Sequence, residues 1–262
     1  MITRIAAFMF VILSLPLYTL AWGVTGHRIV GEIASFYLNS RSRKEIKKIL
    51  GNESLAMASN WGDFIKSDSA YDYINNWHYI NVEEKLTYEQ LHDRLLKDTS
   101  VNAYTKINAL ADSLRMKNID LVKKRMYLRL LIHFVGDIHQ PLHVGHSSDE
   151  GGGKLRLQWF GANTNLHTLW DSRLVDFQQL SYTEYATYLN HTTKEEVRIW
   201  QQKPLADWVC ESYIYAQKIY SGYTGPEQKL SYDYNYLYVD VLNSQLLKGG
   251  VRLAGLLNQI FS

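Results

Sequence analysis

A histidine and an aspartate stand four residues apart at two places in this sequence, and that spacing points to metal chemistry. His133 and Asp137 lie in the strongly helical stretch HFVGDIHQPLH. The second pair, His167 and Asp171, lies in NLHTLWD. Residues four apart on a helix project from one face, with side-chain origins about 6 Å apart. Each pair could therefore bind one ion, and the two oxygens of the Asp137 carboxylate could bridge two ions.

Further histidines and aspartates extend this set. Asp63 lies in SNWGDFIK and His78 in NNWHYIN, each near an expected helix end or loop. Pro141 must end or disturb the helix that carries Asp137, so His143 follows on the turn and can join a neighbouring ion. Imidazole and carboxylate together suit zinc. One such pair is often only an ion pair, but three clusters in one helical chain favour a metal centre.

The remaining histidines fall outside this scheme. His139 follows Asp137 by two residues and faces another side of the helix, which predicts packing or contact with a ligand rather than ligation. His92 lies in a charged amphipathic segment, which favours a surface position. His146 and His191 are typical of loops.

Three polar or aromatic side chains close to these clusters could act on a substrate. Lys66 lies one helical turn after Asp63 and could neutralise charge on a phosphoryl group. A solvated lysine is equally compatible with that spacing. Tyr79 and Asn81 follow His78 and could provide a ring for stacking and an amide that reads a base edge.

The elements that must position these residues are helical. Apolar residues recur at three- and four-residue spacing in HRIVGEIASFYL, TYEQLHDRLLKD, KKRMYLRLLIHFVGDIH, PLADWVCESYIYAQKIY and LNSQLLKGGVRLAGLLNQIF. Only KLRLQWF, residues 154–160, alternates like a strand, and it follows a glycine run. The sequence therefore predicts an all-α fold: one mainly helical domain with a single short β-hairpin.

Composition limits the possible function classes. The 28 Lys and Arg residues nearly balance 26 Asp and Glu residues, so any nucleic-acid binding must come from local features rather than a global basic field. No linker or repeat divides the chain, which indicates a single domain. Cys210 is the only cysteine, so an exported form would be stabilised by its core, by bound metal, or by both.

The first 21 residues have the pattern of a secretory leader. A short basic opening precedes an apolar run from Ile5 to Leu20, which is shorter than the roughly 20 apolar residues of a membrane span. Thr19 and Ala21 are small residues at the positions that favour cleavage after Ala21. We expect a signal peptide over residues 1–21, a functional domain over residues 22–262, and a secreted or periplasmic protein. An uncleaved anchor is the alternative.

With these residues in hand, the chain resembles the zinc-dependent, single-strand-specific nucleases of the type I, or mung-bean-type, family. The resemblance spans Trp22 to the C-terminus and rests on WGVTGH, SNWGD, WHYIN, HFVGDIHQPLH and NLHTLWD, in that order. It implies a fold related to that of zinc-dependent phospholipase C, with a trinuclear zinc site in a cleft and three Zn²⁺ per chain.

Carried over motif by motif, the resemblance implies nine zinc ligands. The first zinc would be bound by Asp63, His78, His133 and Asp137. The second would be bound by His143, His167 and Asp171. The third would be bound by His27, Asp137, and the α-amine and carbonyl of Trp22. That amine exists only after cleavage at Ala21, and unlike an amide nitrogen it loses its proton near pH 8.

The resemblance also implies an activity. Family members cleave RNA and single-stranded DNA to 5′-phosphorylated products, and many remove the phosphate of 3′-nucleotides. Asp63 would orient the attacking water, Lys66 would lie near the phosphate, and Tyr79 and Asn81 would line the base pocket. We expect a monomer with no stable membrane association once the signal peptide is removed.

The chain departs from the family pattern at three places. Asn81 stands where many members have an acidic residue, which puts the base preference in doubt. Gly151-Gly152-Gly153 followed by Lys154 replaces a Gly-Gly-Asn turn. Eukaryotic secreted members usually carry disulfides, so the lone Cys210 favours a bacterial origin.

Two alternatives remain open. Zinc-dependent phospholipase C also begins with a ligand tryptophan, but its first histidine follows at a longer interval and its last ligand pair ends in glutamate. Here His27 follows Trp22 by five residues and the pair ends in Asp171, which favours the nuclease. A non-catalytic periplasmic zinc-binding protein would bind the metal equally well but would not need Lys66 or Tyr79.

Overall fold

A computed structural model describes residues 22–83 and 85–262 of the protein. The expected signal peptide, residues 1–21, lies outside the described residues. In chain order the α-helices are α1 Val24–Tyr37, α2 Ser40–Leu50, α3 Leu55–Ala58, α4 Trp61–Phe64, α5 Tyr88–Leu96, α6 Ala103–Arg115, α7 Leu121–Asp137, α8 Leu166–Thr168, α9 Leu174–Phe177, α10 Tyr182–Leu189, α11 Lys194–Gln202, α12 Leu205–Ser221 and α13 Tyr232–Ile260. Short 3-10 helices span Ile65–Ser67, Ser69–Trp77 and Pro141–Val144, and a π-helical segment spans Leu169–Arg173. The expected mainly helical fold is confirmed.

Helix ends lie where the local sequence predicts them. Thr87 and Thr193 each begin a helix, α5 and α11, with a reciprocal capping box in which the N-cap side chain and the third helical residue exchange hydrogen bonds. Helix α7 ends at Asp137, and Pro141 occupies the first turn of the following 3-10 helix, where its missing N–H costs nothing. The turn between these two helices is what places His143 after Asp137.

The core forms where α1, α7 and α13 pack together. Ile33 of α1, Leu131 of α7 and Leu253 of α13 are all fully buried, and α1 runs along α13 for much of its length. Burial of large aliphatic side chains contributes about 1.5–3 kcal/mol each. Cys210 of α12 is a buried free thiol. Within the described residues, no helix combines the length and apolarity needed to cross a membrane.

A small sheet lies outside the helical core. Strands β1, Arg156–Trp159, and β2, Ala162–Asn165, form the expected antiparallel hairpin. The structure adds a strand that was not predicted: β3, Lys229–Leu230, pairs in parallel with β1. Two residues are too few to show alternating hydrophobicity, and their partner strand lies about 70 positions earlier in the chain, so the expectation of a hairpin alone was incomplete.

Candidate active site

The C-terminal turn of α7 carries the centre of the site. His133 and Asp137 are fully buried, and His133 Nε2 lies 3.4 Å from Asp137 Oδ2. His78 follows the 3-10 helix Ser69–Trp77, and its Nδ1 lies 3.0 Å from the same carboxylate oxygen. The expected four-residue pair is therefore formed, and a histidine from a distant segment completes it.

The other oxygen of Asp137 faces a different histidine. His27 of α1 places Nε2 at 3.3 Å from Asp137 Oδ1, while Asp63 of α4 places Oδ1 at 3.7 Å from His133 Nε2. Asp137 thus has histidines on both of its oxygens, which is the arrangement that a bridging carboxylate requires. We call His27, Asp63, His78, His133 and Asp137 the first group.

His143, His167 and Asp171 form the second group. His167 Nε2 lies 3.1 Å from Asp171 Oδ2, and His143 Nε2 lies 3.7 Å from Asp171 Oδ1. The regular helix expected for NLHTLWD is instead the short α8 followed by the π-helical segment Leu169–Arg173, which still leaves the pair in contact. A π-helical turn widens the helix locally and is frequent at functional sites.

The orientation of three imidazole rings fits metal binding. Each directs Nδ1 at a backbone carbonyl: His133 at Ser59 (2.6 Å), His143 at His78 (2.7 Å) and His167 at Gly151 (2.7 Å). A carbonyl only accepts, so each Nδ1 carries a proton and Nε2 is the nitrogen left to bind an ion. Nε2 of His143 and of His167 is buried and makes no well-aligned hydrogen bond to a described residue, although His167 Nε2 lies 3.1 Å from Asp171 Oδ2.

The separations between donor atoms also fit. Two ligands at 2.0–2.2 Å from a tetrahedral zinc ion are about 3.4 Å apart. Three sets have donor atoms that all lie within 4.8 Å of one another: His27 with Asp63 and His133, His78 with His133 and Asp137, and His143 with His167 and Asp171. The described residues therefore include buried His/Asp groups that could hold metal ions.

Charge in the first group suits a cation. Burial works to raise the pKa of Asp137, but His133, followed by hydrogen bonds from His27 and His78, holds that pKa well below its ordinary value. Burial lowers the pKa of His133 to about 3. An ionised carboxylate and a neutral imidazole are the states that bind metal ions.

The second group carries one proton that a cation would replace. Burial lowers the pKa of His143, yet the Asp171 carboxylate, 3.7 Å from Nε2, and the charge of Asp137 raise it to about 9. Binding of a cation to His143 would therefore release that proton.

Two glycines in the motifs allow close packing against the ligand rings. A Cβ on Gly62 would lie 2.5 Å from Cδ2 of His133, and one on Gly136 would lie 2.8 Å from Nδ1 of His27. Neither contact is possible for a real side chain, because buried rings have little room to move. The glycines of SNWGD and FVGD are thus explained by space rather than by backbone conformation.

Trp22 packs beside a neighbour of Asp137 and directly precedes a residue bonded to Asp171. It is fully buried, and the Cβ position of Gly136, the neighbour of Asp137, is 3.9 Å from its ring. The next residue, Gly23, donates its N–H to the carbonyl of Asp171 at 2.7 Å. The start of the domain is therefore anchored beside residues of both groups.

Gln140 joins the two parts of the second group, a contact that the sequence does not predict. Its Nε2 donates to Asp171 Oδ1 at 2.5 Å, and its Oε1 accepts the N–H of Leu142 at 2.6 Å. One side chain thus orients a carboxylate of the second group and caps the turn that carries His143. Nothing in the spacing of HQPLH indicates a contact with a residue 31 positions later.

Polar side chains of α12 and α13 form buried hydrogen bonds at the C-terminal end of α7. His139 directs Nδ1 at the carbonyl of Val135 (2.7 Å), so its Nε2 accepts from Arg252 Nη1 (3.1 Å). Gln245 donates to the carbonyl of His139 at 3.0 Å, and Ser212 donates to that of Ile138 at 2.5 Å. His139 therefore packs rather than ligates, and Ser212 of α12 and Gln245 of α13 bind the carbonyls of the two residues that follow α7.

A cavity of about 460 Å³ opens beside both groups. It is lined by Lys66, Tyr79 and Asn81 together with candidate ligands of both groups, and its volume is in the range of small-molecule sites. Lys66 donates Nζ to Asp63 Oδ1 at 2.7 Å, so of its two possible positions it takes the one that faces the cluster. The Tyr79 hydroxyl donates to Asn76 Oδ1 at 2.7 Å.

The remaining histidines lie apart from the two groups. His92 of α5 pairs with Asp207 of α12 at 3.2 Å. His146 stacks on Tyr220, with ring centroids 4.3 Å apart, and His191 follows α10 in a loop.

Sequence comparison identifies the family to which the chain belongs. A family model described as S1/P1 Nuclease matches residues 22–262. The chain belongs to the S1/P1 nuclease family. Endonuclease 4 of Arabidopsis thaliana is 30% identical over 274 residues, which cover 93% of this chain and 90% of that relative. Nuclease S1 of Aspergillus oryzae is 28% identical over 174 residues, covering 62% and 57%, and nuclease P1 of Penicillium citrinum is 28% identical over 160 residues, covering 58% and 57%.

Membership in the S1/P1 nuclease family establishes the general activity of the protein. The protein is a nuclease that acts on nucleic acids, and as a hydrolase it cleaves ester bonds. The expected resemblance is confirmed across the whole range from which it was inferred.

Proposed function

We propose that this S1/P1 nuclease is a zinc-dependent enzyme that hydrolyses phosphodiester bonds in RNA and single-stranded DNA. Its products would carry 5′-phosphates, and it would also remove the phosphate of 3′-nucleotides. The observation that carries the proposal is the buried His/Asp set, which opens onto a nucleotide-sized cavity and in which Nε2 of His143 and of His167 makes no well-aligned hydrogen bond to a described residue.

The residues that would hold the ions are those of both groups together with Trp22. We assign three Zn²⁺ per chain to nine ligands: Trp22, His27, Asp63, His78, His133, Asp137, His143, His167 and Asp171. When bound, zinc ions supply Lewis-acid polarisation of the phosphoryl oxygens and lower the pKa of water towards neutrality.

Asp63 and Lys66 would act directly on the reacting groups. Burial works to raise the pKa of Asp63, but His133 and then Lys66 keep it low, so the carboxylate is ionised and can accept a hydrogen bond from the attacking water. Attack on phosphorus breaks the P–O3′ bond and leaves a 5′-phosphate and a 3′-hydroxyl. The Lys66 ammonium, close to Asp63 Oδ1, would neutralise charge on the phosphoryl oxygens.

Tyr79 and Asn81 would make the enzyme prefer single strands. Both line the cavity, Tyr79 with a partly exposed ring and Asn81 with an amide that forms no hydrogen bond to a described residue. A base reaches that ring and amide only after it leaves its stack, which costs least in a single strand.

The leader completes the proposed function. Cleavage after Ala21 would release the domain 22–262 as a secreted or periplasmic monomer without stable membrane association. It would also create the α-amine of Trp22 beside the ions, since Trp22 is buried against the cluster.

The test measures metal content and substrate range on protein that begins at Trp22. We expect about three zinc ions per chain, hydrolysis of single-stranded DNA, RNA and 3′-AMP, little cleavage of duplex DNA, and 5′-phosphate ends. Zinc with phosphatidylcholine cleavage and no nucleolysis would identify a phospholipase C. Zinc with no hydrolysis of any substrate would identify a metal-binding protein.

A further inference from the structure

A second cavity adjoins the cleft. Its volume is about 320 Å³, and its lining includes Tyr79 and Asn81, which also line the cleft. The short segment that contains these two residues therefore separates the cavities, and a strand that crosses it reaches both.

The separating segment is extended and well held. Ile80 donates its N–H to the carbonyl of His143 at 2.8 Å, and Val82 donates to Gly145 at 2.9 Å. Tyr79 accepts from the N–H of Ala103, at the start of α6, at 3.1 Å. The pairing joins this segment to the turn that carries a candidate ligand, so its position relative to the metal groups is defined.

The side chains of this segment alternate. Ile80 and Val82 are 4% and 0% exposed, whereas Tyr79 and Asn81 are both exposed. Alternation along extended backbone puts Tyr79 and Asn81 on one face. A ring and an amide are thus presented together between the two cavities.

The lining of the second cavity suits a nucleotide without selecting its base. Asn76 and Asn81 carry amides, which donate and accept and so can pair with any base edge. Arg94 contributes a cation, whose charge also acts on Asp98, and Val101, 55% exposed, offers an apolar surface to a base.

Asp98 also lines this cavity, but its carboxylate is hydrogen-bonded within its own loop. The two oxygens of Asp98 accept hydrogen bonds from Ser100 (2.8 Å and 2.6 Å) and from Asn102 (2.6 Å). Burial works to raise the pKa of Asp98, but these bonds and the nearby charge of Arg94 lower that pKa and offset the negative charge.

From this geometry we infer that the second cavity is a subsite for the nucleotide adjacent to the one in the catalytic cleft. The inference rests on the proposed function, because it needs a single strand in the cleft. The volume of the second cavity is near the lower end of the range for small-ligand sites, which is enough for one nucleotide. Oligonucleotides would gain contacts here that a mononucleotide cannot make.

The test compares Val101→Glu with Val122→Glu, a matched control. Val122 is 81% exposed in the first turn of α7 and lines neither cavity. Both variants add one negative charge at an exposed valine. The probes are a phosphorothioate-linked tetramer of deoxythymidylate and thymidine 5′-phosphate, with binding followed by calorimetry. We expect V101E to weaken tetramer binding about tenfold and mononucleotide binding less than about twofold, while V122E changes neither.

A second variant, Arg94→Gln, checks the cation. It should weaken tetramer binding and reduce the slope of log affinity against log salt by about one, with the thermal midpoint measured beside it. Tetramer binding that V101E leaves unchanged, or equal weakening of both probes, would refute the subsite. Because binding is measured without turnover, loss of tetramer binding in V101E supports the subsite even if the wild type hydrolyses nothing, an outcome that would refute only the proposed activity.

Discussion

Lys66, which we propose acts on the phosphate, lies beside the first group without being one of its candidate ligands. Its side chain is 18% exposed, and its Nζ lies 2.7 Å from Asp63 Oδ1, at the edge of the first group and in the wall of the cleft. Because the ammonium is already held at this position, neither side chain nor solvent must reorganise when negative charge develops on the phosphate. Spacing alone left Lys66 equally compatible with solvent, and the contact with Asp63 is what distinguishes the two.

Replacing Lys66 tests its part in the reaction. We expect Lys66→Met to lower kcat about 10²-fold on single-stranded DNA, because one fixed electrostatic stabiliser of the transition state is lost. Zinc content and the thermal midpoint should stay close to wild type. Steady-state kinetics and metal analysis check this.

The matched control is Lys48→Met, at an exposed lysine paired with Glu45 on α2. It removes the same charge far from the cleft and should leave kcat unchanged. A K66M enzyme with wild-type kcat would show that this ammonium does not act on the transition state.

At the scale of elements, the end of α7 depends on two helices from the C-terminal part of the chain. Arg252 of α13 is 1% exposed; it contacts His139 and donates to Glu211 Oε2 at 2.6 Å. Lys248 donates to the other oxygen of Glu211. Loss of Glu211 from this partly buried pair leaves the buried Arg252 charge uncompensated, which is destabilising.

This network predicts a particular dependence of stability on pH. Burial works to raise the pKa of Glu211, but Arg252 and Lys248 lower it from 4.5 to about 2. A carboxyl group with a lowered folded-state pKa stabilises above its unfolded pKa and loses that contribution as pH falls through the folded value. The wild type should therefore exceed Glu211→Gln in unfolding free energy by on the order of 3 kcal/mol at pH 7, and the gap should close between about pH 4.5 and pH 2.

Urea unfolding at several pH values measures that gap. Glu195→Gln is the control, because Glu195 makes an exposed pair with Arg198 on α11 and should give a much smaller gap. A difference between wild type and E211Q that is constant from pH 7 to pH 3 would contradict the role given to the Glu211 charge.

For the whole molecule, the proposed removal of the leader couples export to assembly of the site. Trp22 is buried, and Gly23 donates its N–H to the carbonyl of Asp171. Residues 22 and 23 are therefore packed against the candidate site. A free amine at Trp22 would then be formed only by the cleavage that releases the protein.

An added residue tests this coupling. A protein with one alanine before Trp22 should bind about one zinc fewer than the protein that begins at Trp22, and its kcat/KM should fall at least about tenfold. Far-ultraviolet circular dichroism should be unchanged, since the helices do not depend on that amine. Equal zinc content and equal activity in the two proteins would remove the amine from the ligand set.

The sequence by itself determined what depends on neighbouring residues. The His133–Asp137 pair, the capping boxes at Thr87 and Thr193, and the end of α7 before Pro141 all follow from helix geometry and hydrogen bonds that span a few positions. The five motifs in their order also sufficed for the family, which the comparison confirms.

Only the tertiary structure decided which distant segments meet. The approach of His27 and His78 to opposite oxygens of Asp137, the bond from Gln140 to Asp171, and the pairing of β3 with β1 join residues far apart in the chain. No local period encodes such contacts, because they arise from how α1, α7 and α13 pack around a shared core. The same packing directs Lys66 towards Asp63 and places the two cavities side by side. The surface that a substrate would contact is therefore formed by tertiary packing, and no single motif predicts it.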